Sequence, residues 1–354
     1  MKMRNLFFIR RKPTFHLLGG IMLLFIGTSC AEERRLEQPG NLVPKTVTED
    51  PDLPAIVING ARLHAQAFGP VDSTLIICLH GGPGNNFRYM LNSKSLADKG
   101  YRVVFYDQRG SGLSERFSKG WYLNDGENAL DRAFFDDLKE IIRINKTHLT
   151  QKVVLLSQSW GSMLATAFAG KYPDMVHGLI LAEPGGLKWA DVVEYVGKSR
   201  SFKLWSEALN DATYLDQFIT GKENQHNILD YKMGLISTSN VIVGDIKSNL
   251  GSNGEYYRTV RNGAVISAAM FEIGEKYKPD FSEGIARFNK KILFFYSSQN
   301  QAYPDSWAEK ISSVYVDKEL VKVPGVGHSG MFDQLAVWTT FTEPRILQYL
   351  QSIQ

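Results

Sequence analysis

Three short segments hold the residue types that acyl-transfer chemistry requires. Ser157-Gln158-Ser159-Trp160-Gly161 lies where an apolar run of Val and Leu gives way to a helical pattern carrying Met163, Leu164, Ala167 and Phe168. A sharp strand-to-helix turn lifts a serine hydroxyl above a sheet edge and needs small residues two before and two after it. Gly161 meets the second requirement, and Ser157, small though not glycine, stands at the first. Leu79-His80-Gly81-Gly82-Pro83-Gly84 follows another apolar run, and its glycines allow the backbone to approach a substrate carbonyl closely. The N–H groups of Gly82 and Trp160 are therefore the expected donors to a developing oxyanion; losing one such donor costs about two to three orders of magnitude in rate. Near the C-terminus, Val323-Pro324-Gly325-Val326-Gly327-His328-Ser329 sets a histidine in a glycine-bearing loop between the last strand and the last helix. Ser159 is the expected nucleophile and His328 the expected general base. A lone histidine is usually an ordinary residue, and glycines also serve tight turns. The weight lies in all three segments following strands, with Ser first and His last.

The elements that must position them are short apolar runs alternating with helical patterns. Ile56 to Ile58, the turn pair Asn59-Gly60 and Ala61 to Phe68 read as a β-hairpin. Strands are expected at Thr74 to Leu79, Tyr101 to Tyr106, Val153 to Leu156, Val176 to Leu181, Ile292 to Tyr296 and Leu320 to Val323. Helices are expected over about residues 87–98, 129–145, 161–171, 305–313 and 331–352. This alternation implies an α/β fold: a mostly parallel central sheet covered by helices on both faces. The interval from Gly186 to Phe288 is far longer than a crossover needs. Trp189, Tyr195, Phe202, Trp205, Leu209, Tyr214 and Phe218 recur there mostly at helical spacings, as packing within a small helical subdomain would require. Residues 187–287 are thus expected to form an inserted helical cap, with 55–186 and 288–354 forming the catalytic domain.

His80 to Gly84, together with Tyr106-Asp107-Gln108-Arg109-Gly110-Ser111-Gly112-Leu113-Ser114 and the Trp160-Gly161 pair after the serine, resemble the prolyl aminopeptidase (proline iminopeptidase) branch of the α/β-hydrolases. The resemblance covers the catalytic domain and thins out in the cap. It implies an α/β-hydrolase fold and a serine peptidase acting on short peptides. Asp107 and Arg109 read as structural braces of the oxyanion loop. The family places an Asp after the strand that here runs Ile292 to Tyr296, and that position is held by Asn300. An amide orients an imidazole but cannot neutralise imidazolium, and Asp-to-Asn in a serine triad lowers turnover by about four orders of magnitude. Glu183, in Leu181-Ala182-Glu183-Pro184-Gly185-Gly186, is the preferred substitute, because it ends the strand beside the nucleophile strand; its competing role is a brace at the start of the cap. Asp305 is a weaker candidate, since Pro304 marks it as a helix N-terminal residue. Aminopeptidases of this family hold the substrate ammonium with cap carboxylates, and Glu272 in Phe271-Glu272-Ile273-Gly274-Glu275 loosely resembles such an anchor, a surface Glu being the plainer reading.

The N-terminus carries a different signal. Lys2, Arg4, Arg10, Arg11 and Lys12 precede an apolar run from Leu17 to Ile26 that ends in Gly27-Thr28-Ser29-Cys30. Residues 1–29 read as a secretory signal, too short in its apolar run for a spanning helix. The segment resembles a bacterial lipobox, with Gly27 where Leu is usual, which implies lipid attachment at Cys30 and export to a bacterial membrane. An ordinary signal peptide or an uncleaved anchor is the alternative. Residues 30–54 read as a polar tether. Without the leader, 35 basic residues face 37 acids, a net −2, and no basic run invites nucleic acid. Cys78 lies in an apolar strand with no partner for a disulfide, and no cofactor or metal is implied. The sequence leads to a lipid-anchored, aminopeptidase-like serine hydrolase on small-molecule or short-peptide substrates. An esterase, amidase or lactonase, or a catalytically impaired surface binding protein, are the rivals.

Overall fold

A computed structural model describes residues 38–199, 224–238 and 261–353 of the 354-residue chain. Its hairpin forms as the Asn-Gly pair dictates, with Asn59 and Gly60 both at positive φ (47° and 73°) between β1 (Ala55–Ile58) and β2 (Ala61–Phe68). The remaining strands are β3 (Leu75–Leu79), β4 (Arg102–Tyr106), β5 (Val153–Gln158), β6 (Gly178–Ala182), β7 (Ile292–Ser297) and β8 (Lys318–Val323). They join in one eight-stranded sheet of order β1-β2-β4-β3-β5-β6-β7-β8. The first two pairings are antiparallel and the rest parallel.

Every residue of β3, β5 and β6 is buried, because helices cover both faces. Ile77, Leu155, Leu181 and Phe294 pack toward α1 (Asp136–Asn145) and α2 (Trp160–Lys171). Ile76, Cys78, Val154, Ile180 and Phe295 pack on the other face, with Ile346, Tyr349 and Leu350 of the last helix (Glu343–Ser352). Cys78 is plain core, and burial pushes its thiol up to about 12. The expected helix over 331–352 is in fact interrupted at Gln334 (ψ 105°) and passes through a π turn at Trp338–Thr342, just ahead of Pro344, which has no N–H to donate.

Between β6 and β7 the described residues form α3 (Trp189–Ser199), α4 (His226–Thr238) and α5 (Ala264–Tyr277). The two ends of this insertion meet, with Lys188 bridging Asp280 and the Phe281 N–H donating to Leu187 O at 2.7 Å. Phe202, Trp205, Leu209, Tyr214 and Phe218 lie outside the described residues, as do the leader and Cys30.

The tether expected to run to residue 54 is shorter than that. Val43 and Val47, two apolar side chains in a polar stretch, are buried, and the Val47 N–H donates to Leu113 O at 2.8 Å. Burying two valines outweighs leaving them on a free tether, so the folded body begins near Val43 rather than Ala55.

Candidate active site

The parallel strands β3, β5, β6 and β7 deliver their C-terminal residues to one edge of the sheet, and the chemistry-bearing side chains stand there. Ser159 follows β5 directly and adopts φ 53°, ψ −120°, a conformation that L-residues avoid unless their surroundings enforce it. Its N–H is held by Ala182 O at 2.7 Å, while its carbonyl accepts the first bonds of α2 from Ser162 and Met163. A Cβ at Gly161 would stand 2.1 Å from Leu79 O, so the turn closes only over glycine. Ser157 is buried, with its hydroxyl 3.1 Å from both Ile180 O and Ser162 Oγ.

The loop after β3 is fixed by a polar lattice. His80 Nε2 accepts from the Gln108 N–H (2.9 Å), which assigns the proton to Nδ1 and makes Nδ1 the donor to Gly81 O (2.7 Å). Burial holds the His80 pKa low. The Gly81 N–H donates to Tyr89 Oη, and Tyr89 in turn donates to Gln158 Oε1, both at 2.7 Å. Gly82, at φ 140°, precedes a cis bond to Pro83. Among the described residues, nothing accepts a hydrogen bond from the N–H of Gly82 or of Trp160.

Asp107 accepts from the N–H groups of Phe87 (2.9 Å) and Leu113 (2.8 Å) and from His64 Nδ1 (2.8 Å). Burial raises its pKa, but the His64 hydrogen bond and charge outweigh this and hold it below the ordinary value. Arg109, also buried, is paired through two bonds (3.0 and 2.7 Å) with Asp137. Asp107 thus ties the start of the segment at Phe87 to Leu113 and His64. Arg109 contacts Asp137, Asn59 and the rings of Phe117 and Trp121 and, among the described residues, touches neither the loop after β3 nor the serine's cavity, so its expected part as a brace of that loop is not seen.

The carboxylate that reaches His328 comes from β6. Glu183 is 0% exposed and sits at φ 44° immediately after the strand. Its Oε2 is 2.5 Å from His328 Nδ1 and accepts from Asn300 Nδ2 at 2.8 Å. Its Oε1 accepts from the N–H and the hydroxyl of Ser297, both at 2.6 Å. Asn300, at the position where an acid was expected, thus serves as a donor to the acid. Asp305 instead pairs with Lys322 at 2.6 Å on the surface. Two residues of this cluster were missed in the sequence, Ser297 and Tyr195. Tyr195 Oη lies 3.4 Å from both His328 Nδ1 and Asn300 Nδ2, and burial, reinforced by Glu183, pushes its phenol pKa well up. The spacing of Tyr195 showed a helix face, with nothing to say that the face meets the histidine.

The His328 ring is partly exposed, and its Nε2 has no partner among the described residues. Its backbone carbonyl accepts from Gln158 Nε2 (3.2 Å), the residue before Ser159. The Ser159 hydroxyl and His328 Nε2 do not hydrogen bond here, a spacing common before substrate binds. Ser159 opens into a cavity of about 60 Å³ lined by Gly82, Trp160, Met163, Trp189, Tyr195 and Phe271, among others. No charged side chain lines it among the described residues. Glu272 is not part of that lining; it is half exposed and pairs with Lys119 at 2.7 Å. No cluster of three or more His, Cys, Asp or Glu able to hold a metal occurs among the described residues.

Residues 74–335 match the family model described as the alpha/beta hydrolase fold. A proline iminopeptidase of Thermoplasma volcanium is 37% identical over 117 residues, 32% of this chain and 34% of that protein. A proline iminopeptidase of Pestalotiopsis fici is 26% identical over 287 residues, 77% of this chain and 92% of that protein. The chain thus spans about a third of the length of the first curated relatives it matches. Among solved structures, a proline iminopeptidase-related protein from Thermus thermophilus aligns with a TM-score of 0.54 at 19% identity, covering 85% of this chain and 98% of that one.

Proposed function

The chain belongs to the α/β-hydrolase fold family, a hydrolase fold, and on that premise we propose that it is a serine hydrolase working through an acyl-enzyme at Ser159. The observation that carries this reading is the 2.5 Å contact between His328 Nδ1 and the buried carboxylate of Glu183. It supplies the imidazole with an acid although the usual position holds Asn300. Ser159 Oγ attacks the acyl carbonyl and passes its proton to His328 Nε2, and Glu183 stabilises the resulting imidazolium. The oxyanion is held by the N–H groups of Gly82 and Trp160. His328 then protonates the leaving group, and a water activated by the same imidazole releases the acid and restores Ser159.

The substrate reading favoured by the cavity is an uncharged, apolar acyl group carried as a short ester or amide. Its walls are aromatic and aliphatic, and Glu272 is engaged by Lys119. A second reading, removal of N-terminal proline from short peptides, is favoured by the two iminopeptidase relatives. We propose, on the sequence alone, that residues 187–287 act as a cap and that Cys30 carries a lipid anchor after export. The test is labelling by a fluorophosphonate probe alongside hydrolysis of short p-nitrophenyl esters and of proline p-nitroanilide. Labelling and turnover that both vanish in Ser159→Ala are expected, with the esters preferred. Labelling that survives in Ser159→Ala would remove the mechanism, and proline-amide cleavage exceeding ester cleavage would reverse the substrate order.

A further inference from the structure

The segment that enters the body at Val43 does more than pack. Pro44 O accepts from Arg261 Nη1 at 2.7 Å, and Glu49 Oε2 accepts from the same nitrogen at 2.9 Å. Glu49 Oε2 is aimed by the N–H and hydroxyl of Thr46, at 2.7 and 3.0 Å. Arg261 is buried at 2% exposure and precedes α5, the helix that brings Met270 and Phe271 to the cavity. Its Nε donates to Asp230 Oδ2 of α4 at 2.9 Å, as does Arg116 Nε, and Asp230 Oδ1 accepts from the Ala264 N–H. Arg116 also binds the carbonyls of Ser111, Gly112 and Ser114 in the loop that Asp107 braces.

The same stretch touches the oxyanion loop. The Gly263 N–H donates to Gly84 O at 2.6 Å, and Asn86 Nδ2 reaches Arg261 O at 3.5 Å. The contact is too close for a side chain, since a Cβ at Gly84 would stand 2.4 Å from Gly263 O. Two guanidinium groups here share Asp230, and Glu49 is the second carboxylate that balances them. Without it, a second buried positive charge would be left short of a counter-ion, a strongly unfavourable arrangement.

We infer that residues 43–49 form a strap that, through Arg261 as a positioning residue, holds the Gly82–Gly84 loop and α5 in register with Ser159. This rests on the acyl-enzyme reading above, while the strap's mechanical part stands apart from it. The strap replaces no catalytic group; it fixes the distance between the oxyanion donors and the serine, where a displacement of about 1 Å costs up to about a hundredfold in rate.

The experiment uses the full chain carrying Glu49→Gln, Arg261→Gln or both. Each single variant should lower kcat for a short p-nitrophenyl ester by about tenfold or more, with KM changed less. The double variant should lose no more than the worse single one, because the two residues act as one unit. Glu49→Asp should recover part of the loss. In parallel, amide hydrogen exchange at residues 84–87 and 263–266 should quicken in Glu49→Gln, whether or not the protein hydrolyses any ester. Wild-type activity with an unchanged kcat in Glu49→Gln, or unchanged exchange at those amides, overturns the strap. An unlabelled, inactive wild type whose exchange still responds to Glu49→Gln would instead overturn the acyl-enzyme reading and leave the strap standing.

Discussion

A carboxylate removed from water persists only where protein donors replace the solvent, and Glu183 has four of them: the Ser297 N–H and hydroxyl, Asn300 Nδ2 and His328 Nδ1. Asn300 is a fitting neighbour for it, since an Asp there would place a second negative charge beside the same oxygen. The acid that contacts His328 thus follows β6, and the position after β7 holds an amide that donates to it, which yields a prediction. Glu183→Gln should lower kcat by about four orders of magnitude, as amide replacement of a triad acid does. Adding Asn300→Asp to it should restore at least about tenfold, because the side chain at 300 already reaches, at 2.8 Å, the oxygen that His328 Nδ1 contacts. Single-turnover acylation with a short ester reads both effects. A double variant no faster than Glu183→Gln would show that the Asn300 position cannot hold the acid. The placement of Ser159, Glu183 and His328 at one sheet edge was legible in the sequence because Ser159 and Glu183 directly follow recognisable strands and His328 sits in the glycine-bearing loop after the last one. Ser297 was not, because donating to a carboxylate 114 residues away in sequence leaves no local pattern.

Elements were legible to the extent that their periodicity was local. β3, β5 and β6 read as continuous apolar runs because both faces are covered, and the Asn59-Gly60 turn announced its hairpin. The break at Gln334 and the docking of Val43 and Val47 depend on tertiary partners, which no short window contains. The same limit applies within the insertion, where α3 and α5 meet through Trp189 and Gly274. A Cβ at Gly274 would fall 2.0 Å from the Trp189 ring, and that ring is pinned by its Nε1 hydrogen bond to Glu275 (2.8 Å) and by an edge contact with Phe271. Trp189 also lines the cavity at Ser159, so the packing of two helices sets the cavity's width. Gly274→Ala should therefore displace the indole, cost about 1–3 kcal/mol of stability, and shift preference toward shorter acyl chains with a raised KM. Thermal unfolding and a series of p-nitrophenyl esters of increasing chain length read these together. A lowered unfolding temperature with an unaltered chain-length profile would mean that Trp189 does not set the acyl pocket.

At the scale of the whole molecule, the shortened tether changes where the body would sit relative to a membrane. If the chain is cleaved before Cys30 and lipidated there, only residues 30–42 separate the lipid from the first buried side chain. A fully extended stretch of that length reaches at most about 45 Å, at roughly 3.4 Å per residue. The body would then be held within about one protein diameter of the bilayer. The strap at residues 43–49 would also receive any pull on the anchor before the catalytic domain does, since Pro44 and Glu49 are the points at which Arg261 grips the incoming chain. Replacing Cys30 by Ser should move the protein from the membrane fraction to the soluble fraction while kcat on a short soluble ester changes less than about twofold, because the strap contacts begin well beyond residue 30. Fractionation followed by ester assay of both fractions checks this. Retention of Cys30→Ser in the membrane fraction would favour an uncleaved apolar leader as the anchor. A soluble variant with a collapsed kcat would mean that attachment itself conditions the strap, so that the enzyme works at full rate only while tethered.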